Sequence, residues 1–576
     1  MMVRNCIPTV RILKPSALAA ALLVLAGFAF AQSSEPDSAF AIAQGKSFAA
    51  SPSKRPVTAP AQNPEPKSRV TTDFEEALLI IRRNHVIGGR IDFAEITKSS
   101  VEGMLHALDP HSNFFDSREY SDLLSEQQSE YDGIGTTIGG YSRSGQLDTY
   151  IASTYPGSPA WRAGLRFGDR IVAVNDEPVT GSSSLSVSEM IQGRSGSVLK
   201  LTVERFGIGR LETVQLRRAR VPQPSITDFY MLRPTTGYIA LTEGFTFTTA
   251  DELNRALAAL RRTGMRSLVL DLRGNTGGIL EQAVRVAEKF LPEGSLIATQ
   301  RGRTRYDNRV WKSSNKIPET MPLVVLVDGE TASASEIVAG ALQDHDRALI
   351  IGEKTFGKGL VQSVIDLPTG AGMALTTARY FTPSGRSIQR DYSLSEYDYY
   401  KRRAVAPDVD RVRPESETTG HRKVFGGDGI TPDEVAKGQH FTLERLELLD
   451  PLFFFSLELA AGKVKNLERY SLASLRKTSV SAAGAFPTSG EIMPEFQSFV
   501  ESEESWTRFA NMLPKESVFI TSQVRKYLAT AAFGDTAATR IKIASDQQVA
   551  KALELLPKAG QLAYSFAAGP RAANNK

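Results

Sequence analysis

The chain has 576 residues, 41% of them hydrophobic and 23% charged, with a formal net charge of +4. That length exceeds what one core can serve, so roughly three or four folded units are expected, while the ordinary composition excludes wholesale disorder and a polytopic membrane protein. The small charge and dispersed Lys and Arg residues exclude a basic stripe for nucleic acid.

At the start, Arg4, Arg11 and Lys14 precede an apolar run over 17–29, and Ala29-Phe30-Ala31 stands before Gln32 as a small-residue cleavage site. The run is shorter than the roughly 20 residues a membrane span needs, so residues 1–31 read as a cleaved signal and the mature chain as exported, periplasmic or secreted. The single cysteine, Cys6, precedes the run. It would leave with the signal, so the mature chain is expected to have no disulfide, thiolate metal site or cysteine nucleophile.

Residues 32–70, rich in Ala, Ser and Pro, read as a disordered tether. Helical periodicity follows over 73–85, with Phe74, Ala77, Leu78 and Ile81 on one face, and over 96–108, closed by Asp109-Pro110. This predicts an N-terminal helical arm over 71–130. Short strands at 149–153, 170–174 and 199–205, punctuated by glycine, predict a compact β-rich domain over 131–218.

After Pro222 and Pro224, strands at 268–272, 323–327 and 348–351 alternate with helices at 250–263 (closed by Gly264), 280–291 and 335–344. Such alternation predicts an α/β layer of largely parallel strands over 219–437. Residues 391–425, charged and Tyr-rich, read as a surface insertion. Amphipathic patterns at 443–459 and 497–512 predict a helical region over 438–576, whose task the sequence does not disclose.

Three segments can carry chemistry. Thr331-Ala332-Ser333-Ala334-Ser335-Glu336 follows a strand and opens a helix. Ser333 and Glu336 there fit a capping box worth about 1 kcal/mol, and the same geometry also exposes a hydroxyl. A serine nucleophile needs a base. His85, His106 and His111 fall in the predicted arm, and His421 and His440 lie towards and beyond the end of the insertion. His345 follows Ser333 by 345 − 333 = 12 positions on one helix, about 18 Å at 1.5 Å per residue, so it reads as a helix-end residue complementing the dipole.

Lysine can act instead if desolvation lowers its pKa. Lys358, in Phe356-Gly357-Lys358-Gly359, has glycines on both sides, and Gln362 falls on its side of an extended chain. Lys354 lacks that frame and reads as a solvated surface lysine. The third segment, 270–278, is a strand running into Gly274-Asn275-Thr276-Gly277-Gly278. It is either a tight βα connection or an oxyanion hole using the N–H groups of Gly278 and Ala334.

Together these residues resemble the signature of the carboxyl-terminal processing (tail-specific) serine peptidases, including the serine-to-lysine separation of 358 − 333 = 25. Leu108-Asp109-Pro110-His111-Ser112, the turn at 273–278, Thr382-Pro383-Ser384-Gly385 and Gly429-Ile430-Thr431-Pro432-Asp433 extend the resemblance over about 70–437. It implies a multidomain α/β protein: a ClpP/crotonase-like protease core with an inserted PDZ domain, an N-terminal helical arm and a helical C-terminal region. It further implies Ser333 as nucleophile, Lys358 as general base, Gln362 as its orienting partner, Gly278 and Ala334 as oxyanion donors, and no metal or cofactor. The chain departs from the family's common pattern at Thr331, where serine is frequent, in the insertion and in the long helical tail.

The β-rich segment resembles a PDZ domain, with Gly133-Ile134-Gly135-Thr136 as carboxylate-binding loop and 163–169 as a second hallmark. Such domains take a peptide by strand addition, so the implied partners are unstructured C-terminal tails of protein substrates. Homo-oligomerisation stays open, and neither nucleic acid nor nucleotide is implied. One rival reading is a P-loop-like nucleotidase at 352–359, against which Gly359 stands where a Ser or Thr would hold magnesium. The other is a non-catalytic PDZ scaffold, which would be marked by loss of a dyad member, whereas Ser333, Lys358 and Gln362 are all present.

Overall fold

The apolar run Leu323–Val327 is buried at every residue, as expected for a parallel strand covered on both faces. In the computed structural model of the protein, which describes residues 69–87, 90–393, 399, 413–439, 441–477 and 485–568, this strand lies inside a six-stranded sheet. The order is Asp228–Arg233, Thr236–Ala240, Ser267–Asp271, Leu323–Val327, Leu349–Gly352 and Glu434–Val435. All neighbours run parallel except the first pair. The predicted signal with Cys6, the tether up to residue 68, residues 394–398 and 400–412 of the insertion, and His440 lie outside the described residues.

Alternate side chains of a strand face opposite ways, and each face of this sheet has its own cover. Leu268, Leu270, Val325 and Ile350 pack under the helices Thr249–Arg262, Leu280–Glu288 and Ala334–Asp344. Val269, Val324, Leu349 and Ile351 pack against Val549, Ala552 and Ala559 of the last helix, Gln547–Ala568. The C-terminal region therefore supplies half the cover of the core. No helix among the described residues is long and apolar enough to cross a membrane.

A second sheet joins Leu360–Asp366, Gly372–Phe381, Leu296–Gly302, Arg309–Lys312 and Asn113–Phe115. Pairing of Asn113–Phe115 with Gly372–Phe381 draws the chain after Leu108 onto this sheet. The described residues form two compact units that divide between Leu108 and Asp109. The smaller holds the helices Arg69–Asn84 and Phe93–His106, the latter capped by Asp92. Helix Ser117–Gln127, counted by sequence with the arm, belongs to the larger unit.

The sheet of the β-rich domain runs Thr136–Arg143, Gln146–Thr154, Arg170–Val174, Val198–Glu204 and Leu211–Arg217. Ile151, Leu165, Ile171, Val187, Leu199 and Val203 form its core. Thr136–Arg143 pairs on one side only, with Gln146–Thr154, and so is an edge strand.

The C-terminal helices differ in extent from the predicted ones. The first pattern divides into Leu443–Glu447 and Leu449–Ala460. The second begins earlier, as Ser489–Glu501, because Glu491 accepts from the Thr488 N–H at 2.7 Å in a capping box. It ends where Ser502 Oγ bonds back to the Phe499 carbonyl at 2.7 Å, a local bond that competes with helix continuation.

This bundle grips the last residues of that edge strand, 141–143. Phe453 stacks on Tyr141 with ring centroids 3.7 Å apart, the Ser142 N–H donates to Asp450 at 3.1 Å, and Arg143 pairs with Glu458 and Glu503. Phe453 is fully buried, so Phe453→Ala should destabilise the larger unit by about 3–5 kcal/mol. Denaturant unfolding of the two proteins measures it, and a loss below about 1 kcal/mol would show that the bundle does not hold the PDZ domain.

Candidate active site

Ser333 stands between the strand Leu323–Val327 and the helix Ala334–Asp344, with φ 54° and ψ −115°. A non-glycine residue held there carries about 1–3 kcal/mol of strain, which persists only where the surroundings enforce it. Ser333 keeps part of its surface accessible while Ala332 and Ala334 are buried. The turn thus presents one hydroxyl from an otherwise closed backbone.

Glu336 enforces this conformation. Its wholly buried carboxylate accepts from the N–H groups of Ser333 (2.8 Å), Gly357 (2.8 Å) and Lys358 (2.9 Å), and from the Thr355 hydroxyl. Burial raises this carboxyl to about 7 against the opposing pull of those hydrogen bonds. On the other side of both residues, the Tyr380 hydroxyl reaches the carbonyls of Ser333 (2.9 Å) and Lys358. One carboxylate and one phenol therefore bring Ser333 and Lys358 together. The capping reading holds for Glu336, whose side chain accepts from the Ser333 N–H at 2.8 Å, the reach back to the N-cap that a capping box requires.

Lys358 retains some accessible surface, yet its amine is desolvated enough to bring the pKa from 10.5 down to about 8, opposed by the charges of Asp109 and Glu336. Gly357 permits the turn with φ +90°, and a Cβ there would sit 2.9 Å from the Gly429 N. After the turn the chain enters the strand Leu360–Asp366, so no helix N-terminus is available to hold a phosphate as in a P-loop. Gln362 lies on this strand beside a bulge. Its amide donates to Thr376 Oγ1 at 3.1 Å, and the Thr376 N–H donates to Ser112 Oγ at 3.1 Å, partners the sequence did not indicate.

The glycine turn lies directly against the serine. A Cβ on Gly277 would be 2.7 Å from Ser333 Cβ and 3.0 Å from the Ala334 N, and one on Gly278 would strike the Phe245 carbonyl at 2.4 Å. Among the described residues neither the Gly278 nor the Ala334 N–H has a hydrogen-bond partner. Two residues not singled out in the sequence tie the turn down. Asn275 takes the Gly277 N–H on Oδ1 (2.9 Å), receives Ala332 N–H (3.0 Å) and Ser335 Oγ (2.9 Å) on its carbonyl, and donates to the Leu241 carbonyl (2.9 Å). Asp328 Oδ1 accepts from Gly274 N–H at 3.0 Å. Thr331, where the family often has serine, donates its buried hydroxyl to the Leu272 carbonyl at 2.9 Å, so the hydroxyl needed at that position is kept.

The histidines require one correction. His345 caps the helix end, with Nε2 2.6 Å from the Leu296 carbonyl oxygen. His111, counted by sequence with the arm, instead lies beside Lys358, because Asn113–Phe115 anchors its segment to the second sheet. Burial, Lys358 and Arg390 hold its pKa well below 6.5, and its Nε2 is 2.7 Å from the Tyr399 hydroxyl. Lys354, read as a solvated surface lysine, is ion-paired with Asp428.

In the PDZ loop, Gly133 ends a strand paired with Ala219–Pro222, and Ile134 is buried with its carbonyl accepting from the Ala160 N–H at 2.8 Å. Gly135 has φ +71°, where a Cβ would lie 2.3 Å from Ser158 Cβ. Thr136 opens the edge strand and donates to the Ser153 carbonyl at 2.7 Å.

Residues 235–410 match peptidase family S41, and residues 150–205 match the PDZ domain. Over 303 residues the chain is 35% identical to the carboxy-terminal-processing protease of Bartonella bacilliformis, spanning 52% of this chain and 68% of that relative. Over 305 residues it is 32% identical to the carboxy-terminal processing protease CtpA of Bacillus subtilis, spanning 52% and 63%. A serine-type peptidase core with an inserted PDZ domain is thus the class this architecture defines. The chain belongs to peptidase family S41, among the carboxy-terminal processing proteases. Of solved structures, a photosystem II D1 C-terminal processing protease is 29% identical and covers 64% of this chain and 88% of its own, with a TM-score of 0.34.

The desolvated lysine has a thermodynamic signature. Its pKa is about 8 in the folded chain against 10.5 when exposed, so the unfolded chain binds more protons between these values and stability rises with pH across them. Lys358→Met, close in shape and uncharged, should therefore be more stable than the wild type at pH 7, with the advantage shrinking between pH 8 and pH 10.5. Denaturant midpoints across that range measure it. A constant difference would mean that the amine is not desolvated.

Proposed function

We propose that this protein cuts polypeptides near their carboxyl ends with a Ser333–Lys358 dyad, its PDZ domain presenting the substrate tail. The observation that carries this reading is the Glu336 carboxylate, which accepts from the backbone N–H of both residues and holds a partly neutral amine beside a strained serine. The amine of Lys358 takes the Ser333 hydroxyl proton as Oγ attacks the scissile carbonyl carbon. The carbonyl oxygen, now negative, receives the N–H groups of Gly278 and Ala334. The ammonium returns the proton to the leaving nitrogen as the C–N bond breaks, and water, deprotonated by the same amine, releases the acyl group from Oγ. Gln362 keeps Lys358 in place without a charge that would hold it protonated. The basic and apolar pattern over 1–31 supports action outside the cytoplasm.

Because the neutral amine is the active form, kcat/KM should rise with pH through an apparent pKa near 8. Ser333→Ala and Lys358→Ala should each lose nearly all cleavage of an unstructured peptide, since nucleophile and base act as a unit. Gln362→Ala should be impaired but active, and His345→Ala unaffected. Retained cleavage in folded Lys358→Ala, or an acid limb near pH 6 that disappears in His111→Gln, would reassign the base.

Tail reading rests on the loop at Gly133, Ile134, Gly135 and Thr136 and on the edge strand Thr136–Arg143 ahead of Ser142, whose own N–H is taken by Asp450, where backbone pairing reads a chain end with little demand on sequence. A peptide with a free, apolar C-terminus should bind the full chain carrying Ser333→Ala more tightly than its amidated form. Equal affinity in fluorescence anisotropy would remove the PDZ domain as a tail reader.

A further inference from the structure

The glycine turn has a further anchor, and it comes from the C-terminal helical region. Arg273, the first residue of the turn, is largely buried with its guanidinium shared between two carboxylates. Nε and one terminal nitrogen donate to Asp271 at 2.9 and 2.7 Å, while the other donates to Asp546 at 2.8 Å and to Gln548 at 2.7 Å. Asp546 starts the last helix: its Oδ1 accepts from the N–H groups of Gln548 (2.8 Å) and Val549 (3.1 Å), leaving Oδ2 for the arginine. Arg273 and Asp546 each keep only about 15% of their side-chain surface accessible, a setting in which removing one partner of a charge pair leaves the other poorly compensated.

We propose that Asp546 is a positioning residue for the oxyanion turn, acting through Arg273. The inference rests on the proposed dyad, because it concerns where the Gly278 N–H sits relative to Ser333. The turn is rich in glycine, which leaves its backbone soft, and its other ties are Asn275, Asp328 and a backbone bridge to Phe245, whose N–H donates to the Gly277 carbonyl at 2.7 Å. A buried ion pair at its first residue fixes where the turn leaves the strand Ser267–Asp271. The helical tail that sets this chain apart from the common family pattern is thereby part of what aims an oxyanion donor. It is also the region that grips the PDZ edge strand through Phe453 and Asp450.

Asp546→Asn separates this role from simple docking of the helix, because asparagine keeps one oxygen to accept from the Gln548 and Val549 N–H groups while an NH2 donor replaces the oxygen facing Arg273, removing both the charge and the acceptor there. Arg540→Gln is the control, since Arg540 holds Asp228 on the outer strand at 2.7 Å and ties the same region to the core away from the turn. In the full chain, kcat and KM for an unstructured peptide with a free C-terminus are measured alongside the Ki of a peptide aldehyde. Ser333 Oγ adds to the aldehyde carbon while its proton passes to Lys358, which puts the hemiacetal oxygen in the oxyanion position.

Removal of a whole oxyanion donor costs about 10²–10³ in kcat, so a loosened one should cost about tenfold. Asp546→Asn is expected to lose that factor in both kcat and aldehyde affinity, with KM within about twofold of the wild type. Asp546→Glu should recover most of the loss, and Arg540→Gln should show neither change. Wild-type kcat and aldehyde affinity in folded Asp546→Asn would overturn the inference, as would an equal loss in Arg540→Gln. If Asp546→Asn does not fold, an Asp546→Glu variant that folds yet loses kcat and KM in parallel overturns it too. Ser333→Ala in the same assay separates the readings: cleavage by that variant overturns the dyad and this inference together, whereas an inactive Ser333→Ala beside a fully active Asp546→Asn overturns this inference alone.

Discussion

The structure depends above all on one buried carboxylate. Glu336 collects the N–H groups of Ser333, Gly357 and Lys358 and the hydroxyl of Thr355, and thereby joins two segments that the chain separates by a strand, a helix and a turn. Without an acceptor there, three backbone donors would be left buried and unpaired, each at a cost of about 1–3 kcal/mol. The positive φ of Ser333 and the turn at Gly357 would then lose the contacts that enforce them. A carboxylate suits this place because its two oxygens offer about four acceptor sites, and each is needed by a group from one segment or the other.

The rest of the architecture presents these two segments to one another. The parallel core sheet ends the strand Leu323–Val327 at the serine turn and the strand Leu349–Gly352 ahead of the lysine turn, in neighbouring register. Functional groups in open α/β sheets collect at such carboxyl ends. The second sheet brings Tyr380, Gln362 and Thr376 across the opening. The C-terminal helices close the far face of the core and reach the PDZ domain as well, so the PDZ domain and the peptidase core share one packed body.

Much of this was legible in the sequence, for physical reasons that differ by element. Continuous apolar runs such as 323–327 can only be buried strands, and glycines at 277 and 278 marked a turn that a Cβ would obstruct. The segments around Ser333 and Lys358 stood out because small residues and paired glycines mark unusual backbone, and both segments meet at Glu336. The failures are contacts distant in sequence. Nothing local tells that Asn113–Phe115 pairs with Gly372–Phe381 and carries His111 to Lys358. Nor does the Thr-Ala-Ser-Ala-Ser-Glu segment reveal that the other half of the Glu336 hydrogen-bond set comes from residues 355–358. The helix starting at Ser489 was misplaced for a local reason: Thr488 and Glu491 form a start signal that the apolar pattern further on outweighed.

The same features make the site a concentrated source of instability. Glu336, raised to about 7 from 4.5, binds a proton more readily folded than unfolded, so its burial destabilises the protein as pH rises from 4.5 to 7 and fully above that. Lys358, lowered to about 8 from 10.5, acts in the opposite sense and destabilises fully below 8. Near neutral pH both penalties are present, along with the strain at Ser333. Their charges are coupled, since the Glu336 anion favours the ammonium form of Lys358. Losing that anion would lower the lysine further but weaken the acceptor that keeps the Ser333 and Lys358 segments together. The four hydrogen bonds to Glu336 favour its anion against the pull of burial, while burial favours the neutral amine of Lys358.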